Sequence, residues 1–239
     1  MPHPPPSGVA ILMPVYQLEP AIAANIDRVA AVVKDWPSAE VIVIDDGSTD
    51  RTREQAEKAA ASHERVTVIG YTTNRGKGGA LQEGFSHSTL ETIVFIDSDL
   101  DLPPEQLPVF VGEFNRLGVD VLAGAKRSSM TSGRYPTVRR LLSLCFVAVN
   151  RLLFHLPIRE TQTGLKVFRR TALETTLPDL ATLGYAFDLE LLVRIRKQGG
   201  TMAETPVTLA KGSSSGISLS TLWEMGRDTI KIWFRSFRW

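Results

Sequence analysis

Between residues 9 and 124, short apolar runs that suit strands alternate with stretches of helical periodicity, and the turns after the strands carry acids and glycines. Alternation of this kind predicts a mostly parallel sheet flanked by helices, because two parallel strands need a long crossover and a helix is the usual one. Strands are expected over 9–15, 40–44, 66–70, 93–96 and 119–124. Helices are expected over 21–33, 52–62 and 105–117, with another opened by Asn74-Arg75-Gly76-Lys77-Gly78-Gly79. Open sheets of this type bind ligands beyond the carboxyl ends of their strands. Asp45, Asp46, Gly76, Lys77 and the acids after residue 96 fall on that edge.

The densest chemistry lies in 93–105, IVFIDSDLDLPPE, where the buried strand Ile93 to Ile96 runs into Asp97, Asp99 and Asp101 at alternate positions. Carboxylates are costly to bury alone, and a hard divalent cation takes oxygen ligands and often bridges to a substrate phosphate. By itself the pattern suits a metal and a phosphorylated ligand, and equally a turn in which Asp101 or a neighbour caps the helix beginning near Pro103. Asp45-Asp46-Gly47-Ser48 offers acceptors for a base N–H or a ribose hydroxyl; capping accounts for Asp50 but not for both Asp45 and Asp46. Arg75-Gly76-Lys77-Gly78-Gly79 is similar to a phosphate cradle at a helix N-terminus. It does not fit a Walker motif, since Gly78 stands where a hydroxyl residue is needed, and Met13-Pro14-Val15-Tyr16 occupies the place of a dinucleotide fingerprint.

The second half is less regular. Residues 138–156 form a strongly apolar helical stretch, 160–170 a loop entering a short strand, 184–198 a helix, 201–209 an edge strand or extended segment, and 211–216 a small-residue loop. A last helix runs from about residue 220 to the end. With 27 Lys and Arg against 26 acids the net charge is +1, which excludes a general nucleic-acid binder. Cys145 is the single cysteine, so no internal disulfide forms and a reducing compartment fits. Residues 1–8 read as a disordered lead-in, and no apolar run approaches the ~20 residues of a membrane span.

These motifs together resemble family 2 glycosyltransferases, the inverting type with the Rossmann-like GT-A fold. The likeness rests on Pro14-Val15-Tyr16 with Glu19, on residues 45–52 (DDGSTDRT), on Asn74-Arg75-Gly76-Lys77-Gly78, and on Asp97-Ser98-Asp99-Leu100-Asp101. Residues 160–168 (ETQTGLKVF) and 186–192 (AFDLELL) are similar to the branch of dolichyl- and polyprenyl-phosphate sugar synthases. The resemblance implies one transferase domain over 9–219 followed by an amphipathic helix over 220–239.

For the site, the resemblance implies a nucleotide pocket of Pro14, Tyr16, Glu19, Asp45, Asp46, Lys77, Asp97 and Ser98, and Mg²⁺ or Mn²⁺ held by Asp97, Asp99 and Asp101. It implies catalytic roles for Asp99, Asp101, Arg127, Glu160 and Gln162, and an acceptor phosphate met by Arg127, Arg134 and Lys166. The implied reaction moves a hexose, mannose or glucose, from a UDP- or GDP-sugar to polyprenyl phosphate at the cytoplasmic face of a membrane. A carbohydrate or other hydroxyl acceptor is the alternative within enzymes; a non-catalytic nucleotide- and lipid-binding subunit is the alternative outside them. An anionic lipid phosphate needs no general base, whereas a hydroxyl acceptor would call on Glu160 or Asp188.

The sequence departs from the family pattern in three places. Gln17-Leu18 lengthens the first motif before Glu19, Asp101 stands where relatives commonly have Gln, and Glu160 where they have Asp. In the last helix Leu222, Gly226, Ile230, Trp233 and Phe237 recur on one face and Arg227, Lys231, Arg235 and Arg238 on another, which suits an interfacial helix or one packed on the sheet. With no transmembrane tail in the sequence, a separate membrane-anchoring protein is expected.

Overall fold

The computed structural model describes residues 8–126, 152–210 and 219–239, with side chains in the last stretch from residue 224 onward. The expectations for residues 1–7, 138–151 and 211–216, and for Arg127 and Arg134, lie outside the described residues. Strands β1 (Val9–Val15), β2 (Ala39–Asp46), β3 (Val66–Tyr71) and β4 (Thr92–Ile96) are linked by α1 (Ile22–Val33), α2 (Thr52–Ala60) and α3 (Gly76–Ser86). A 3₁₀ turn (Pro104–Gln106) leads into α4 (Leu107–Leu117), then β5 (Val121–Lys126), β6 (Leu165–Arg169), α5 (Arg170–Glu174), α6 (Phe187–Lys197), β7 (Met202–Val207) and α7 (Leu219–Ser236).

The seven strands are ordered β3-β2-β1-β4-β6-β5-β7. All pairings are parallel except those of β6, which runs antiparallel to both β4 and β5. The chain steps from β1 outward to β2 and β3, then returns across the sheet to β4, so the strand order reverses between β1 and β4. A crevice opens at the carboxyl ends of such a pair. Because β6 is reversed, its first residue, Leu165, pairs with Ile96 at the carboxyl end of β4, and this carries the preceding segment 160–164 to the same edge.

Strand β1 is buried along its whole length: Val9, Ile11, Met13 and Val15 join a core with α1 and α4, while Ala10 and Leu12 join a second core with α3 and α6. A strand covered on both faces reads as an unbroken apolar run, which is why the sequence marks it so clearly. Helix α1 buries Ile22, Ile26, Val29, Ala30 and Val33, one stripe of a 3.6-residue period. Gly118 ends α4 in the left-handed conformation, φ 63°, where its N–H reaches the Phe114 carbonyl.

Helix α7 turns Met225, Thr229, Ile232 and Ser236 inward, with Ile232 in the second core. Arg235 Nη2 donates to Thr182 Oγ1 at 2.8 Å and lies 3.6 Å from the buried Glu190 carboxylate, Lys197 donates to the Ser236 carbonyl, and the Arg194 guanidinium covers the Trp239 ring at 4.1 Å. The expected outer stripe needs correction: Trp233 is partly buried against the core, and among the side chains described from residue 224 onward Ile230, Phe234, Phe237 and Trp239 are the exposed large apolar ones. With apolar side chains on more than one side of this helix, periodicity alone cannot say which side packs. Among the described residues no helix is long and apolar enough to cross a membrane.

Candidate active site

At the carboxyl end of β1 the chain enters a loop with Tyr16 half exposed and Gln17 at φ 54°. This loop is clasped to the one after β2. Gln17 N–H donates to Ser48 Oγ (3.1 Å), Leu18 N–H to Thr52 Oγ1 (2.7 Å) and Glu19 N–H to Asp50 Oδ2 (3.3 Å), while Glu19 Oε2 accepts from Arg51 N–H (3.2 Å). The Glu19 carboxylate therefore serves as a loop clasp. Asp50 also accepts from Thr52 N–H at 3.0 Å, the local turn expected at the entry to α2.

Asp45 and Asp46 are the last residues of β2 and are buried. Asp45 Oδ1 takes Ser48 N–H at 3.3 Å, while Asp46 Oδ1 takes Tyr71 O–H at 2.6 Å and Arg75 N–H at 2.8 Å. Burial, with the hydrogen bond to Asp46 behind it, pushes the Tyr71 hydroxyl well above the usual phenol range. Gly76, at φ 80°, opens α3 against the 181–184 loop: a Cβ there would lie 2.7 Å from the Leu183 carbonyl, and that carbonyl accepts Gly78 N–H at 2.9 Å. The glycines thus let α3 start close to a second segment, with Lys77 at its first turn.

Lys77 Nζ pairs with Asp97 Oδ1 and stands 4.0 Å from Asp188 Oδ2, and Lys166 Nζ sits 2.8 Å from Asp188 Oδ1. Two lysines and two carboxylates from α3, β6, α6 and the end of β4 form one connected group. Burial works against the Lys77 ammonium, but Asp97 and Asp188 hold its pKa above the ordinary lysine value. Burial likewise opposes the Asp97 carboxylate and is outweighed by Lys77, Lys166 and Lys126, which lower its pKa. For Lys166 burial wins over Asp188 and the pKa falls. Lys166 is 1% exposed and also donates to the Thr163 carbonyl, so the expected contact with an acceptor is corrected: it lies beneath the site. Asp188, 5% exposed in its side chain, is shared by the two lysines.

Beyond Asp97 the carboxylates change character. Ser98 is buried, its carbonyl accepting from Asn25 Nδ2 at 2.8 Å, whereas Asp99 is exposed with Oδ1 accepting Asp101 N–H at 3.1 Å. Partial burial, then the negative charges of Asp97 and Asp101, raise the Asp99 pKa. The Asp101 carboxylate has no hydrogen-bond or ion-pair partner among the described residues. These residues hold no ready group of three or more carboxylate, imidazole or thiolate ligands. The donor set nevertheless fits a hard cation, since such ions are held by one or two carboxylates completed by substrate phosphate oxygens. A cation there would offset the negative charge that Asp97 and Asp101 place beside Asp99.

Segment 160–164 completes the edge. Glu160 Oε2 accepts Lys126 N–H at 2.8 Å at the end of β5. Gly164 accepts Asp97 N–H at 3.1 Å, and a Cβ on it would lie 2.0 Å from Asp97 Oδ2. Pro14, Tyr16, Asp45, Asp46, Lys77, Asp97, Ser98, Asp99, Asp101, Glu160 and Gln162 thus lie along one edge of the sheet. Sequence reasoning missed the bracing role of Asp188, the part of Lys126, and Leu183. The 186–192 motif signalled the first; nothing in the sequence signals Leu183.

Residues 10–177 match the profile of glycosyl transferase family 2. The chain belongs to this family. It is 27% identical over 231 residues to glycosyltransferase AglD of Haloferax volcanii, covering 95% of this chain but only 37% of that protein. It is 28% identical over 244 residues to dolichyl-phosphate beta-glucosyltransferase ALG5C of Trichomonas vaginalis, covering 95% of this chain and 72% of the relative. Among solved structures, glucosyl-3-phosphoglycerate synthase of Mycobacterium tuberculosis superposes with a TM-score of 0.74 at 22% identity, over 95% of this chain and 79% of that one. The fold is therefore the GT-A-like α/β arrangement expected from the sequence.

Proposed function

We propose that this glycosyltransferase moves a hexose, with inversion, from a nucleoside diphosphate sugar to an acceptor that carries a phosphate, with Mg²⁺ or Mn²⁺ as cofactor. The observation that carries this reading is the Lys77–Asp97–Asp188–Lys166 group at the β4 edge, beside Asp99 and Asp101. Pro14, Tyr16, Asp45, Asp46 and Ser98 would border the nucleoside, and Arg127 and Arg134 would meet the acceptor. Asp99 and Asp101, with Asp97, would hold the cation, which supplies Lewis-acid neutralisation of the leaving diphosphate. Lys77, fixed by two carboxylates, adds a preorganised positive charge for the same leaving group. Solved complexes of the mycobacterial synthase with Mn²⁺ and UDP-glucose support the donor and the metal.

Two acceptors have a specific observation behind each. The mycobacterial synthase was solved with phosphoglyceric acid, which favours a small phosphorylated acceptor attacking through a hydroxyl over the polyprenyl phosphate suggested by the resemblance. In that reaction Glu160 is the candidate base: it also has a lysine, Lys126, within 4.0 Å, but its side chain is 29% exposed against 5% for Asp188. The name of the Trichomonas relative favours dolichyl phosphate. The outer face of α7 agrees with it: Ile230, Phe234 and Phe237 are exposed, and Arg227, Lys231 and Arg238 around them suit an anionic lipid surface.

The test incubates labelled UDP-glucose and GDP-mannose with Mn²⁺ and either phosphoglycerate or undecaprenyl phosphate in anionic vesicles. Label appearing in a water-soluble glucoside supports the first acceptor, label extracted with lipid the second, and label in neither overturns the transferase reading. Sedimentation with the same vesicles separately tests α7; a triple change of Ile230, Phe234 and Phe237 to Glu that leaves binding intact would sink the interfacial role.

A further inference from the structure

The turn that carries Asp97, Asp99 and Asp101 has an uncommon backbone. Leu100 is buried, yet it adopts φ 52°, the left-handed region that a bulky side chain rarely enters. A conformation of this kind persists where its surroundings over-determine it. Three bonds from outside the turn do so. The Gly164 carbonyl accepts Asp97 N–H (3.1 Å), the Ser98 carbonyl accepts from Asn25 Nδ2 (2.8 Å), and the Asp101 carbonyl accepts Ala210 N–H (2.8 Å).

Two of these partners are themselves well held: Gly164 leads directly into β6 inside the sheet, and Asn25 is buried on α1. Ala210 is different. It lies three residues past the end of β7, whose pairing with β5 stops at Val207. That extension is gripped by Gln106, the last residue of the 3₁₀ turn. Gln106 Oε1 accepts Thr208 N–H at 2.7 Å, and Gln106 Nε2 donates to the Thr208 carbonyl at 2.9 Å and to the Pro103 carbonyl at 3.3 Å. One carboxamide thus pairs both backbone groups of Thr208, as a neighbouring strand would. Leu209 adds apolar contact with the first core.

The tie closes on the acidic turn itself. Asp101 gives its N–H to Asp99 Oδ1 at 3.1 Å and takes Ala210 N–H on its carbonyl, so its backbone is fixed on both sides. Its carboxylate has no partner among the described residues. We infer that Gln106 is a positioning residue for the cation: by holding Thr208 it keeps Ala210 on the Asp101 carbonyl and the acidic turn in the shape that binds metal. The inference rests on the metal reading of Asp99 and Asp101 proposed above. Groups that orient metal ligands without touching the metal typically cost roughly 10–100-fold in metal affinity when they are removed.

The experiment compares the wild-type chain with Gln106→Met, which is close in size and breaks both bonds to Thr208, and with Gln106→Glu, which keeps an acceptor for Thr208 N–H. Calorimetry measures UDP and GDP affinity over a series of Mn²⁺ concentrations and in chelator. In Gln106→Met the Mn²⁺ concentration that gives half of the full metal-dependent gain in affinity should rise about tenfold or more, with a smaller rise in Gln106→Glu. Affinity in chelator should stay as in the wild type, and sugar transfer lost at low Mn²⁺ should return as Mn²⁺ is raised. An unchanged Mn²⁺ requirement in Gln106→Met overturns the inference even if the melting temperature falls, because Gln106 is then a structural clamp alone. Equal losses of nucleotide affinity with Mn²⁺ and in chelator overturn it too. Should Gln106→Met fail to fold, Gln106→Glu decides by the same readout. A wild-type chain that binds nucleotide equally with and without Mn²⁺ refutes the metal reading itself, an outcome distinct from a metal-dependent wild type matched by its variants.

Discussion

Two strands of the same parallel sheet end in acids, and they use them differently. At the end of β2, Asp45 and Asp46 are buried and face donors of the protein itself: Ser48 N–H, Tyr71 O–H and Arg75 N–H. At the end of β4, Asp97 faces Lys77, Asp99 is crowded by Asp97 and Asp101, and Asp101 has no side-chain partner among the described residues. The first corner is closed by hydrogen bonds and sets the geometry of α3. The second keeps charge in surplus, which an incoming diphosphate and cation can use. Carboxylates held by the protein's own donors fix a corner, here the one proposed to border the nucleoside; carboxylates set against lysines and one another suit a diphosphate and a cation.

Removing the lysine should separate the corners most sharply. Lys77→Ala should lower kcat/KM for sugar transfer by roughly 10²–10³-fold, the range for loss of one preorganised charge at a leaving group; steady-state kinetics at saturating Mn²⁺ measures it. Gly164→Ala is the next largest change, because its Cβ would fall 2.0 Å from Asp97 Oδ2. Overpacking of this kind costs about 1–3 kcal/mol, and chemical denaturation together with a fall in transfer rate would register both the strain and the displaced Asp97.

At the β2 corner the effect should be on stability. Tyr71→Phe removes the hydroxyl donor to Asp46 and should cost about 0.5–1.5 kcal/mol by denaturant midpoint while sugar transfer continues. A collapse of transfer without a loss of stability would mean that the Tyr71 hydroxyl itself takes part in donor binding or transfer, beyond holding Asp46 in place.

The smallest effect belongs to an acid at the opposite edge. Asp120, before β5, accepts from Thr201 N–H and Oγ1 and from Arg169 Nε, and these, against a burial penalty, lower its pKa. Its folded pKa lies below its unfolded one, so its stabilisation is full above about pH 4 and fades as pH falls through the depressed value. Asp120→Asn should therefore flatten the acid limb of the melting profile and leave activity near neutral pH in place.

Much of this was legible in the sequence, for identifiable reasons. Strands β1, β2 and β4 are buried along nearly their whole length, so their apolar runs stand out, and the strand-end position of Asp45, Asp46 and Asp97 follows from the turns behind them. The sequence marks β6 as a short strand, but its insertion between β4 and β5 depends on contacts between distant segments. The Lys166–Asp188 pair joins residues 22 apart in sequence, and nothing local reveals that Lys166 is buried. In α7 the solvent face belongs to Phe234 and not to Trp233, because packing on α6 and the core decides the rotation.

The most direct test of the account is calorimetric titration of the wild-type chain and Asp99→Asn with UDP-glucose and GDP-mannose, first with Mn²⁺ and then with a chelator. The account predicts that one of the two nucleotide sugars binds the wild type, that chelation abolishes or strongly weakens the binding, and that Asp99→Asn loses the metal dependence while keeping its fold. Binding of equal strength with and without metal, unaffected by Asp99→Asn, would contradict the assignment of the β4 corner as the diphosphate site.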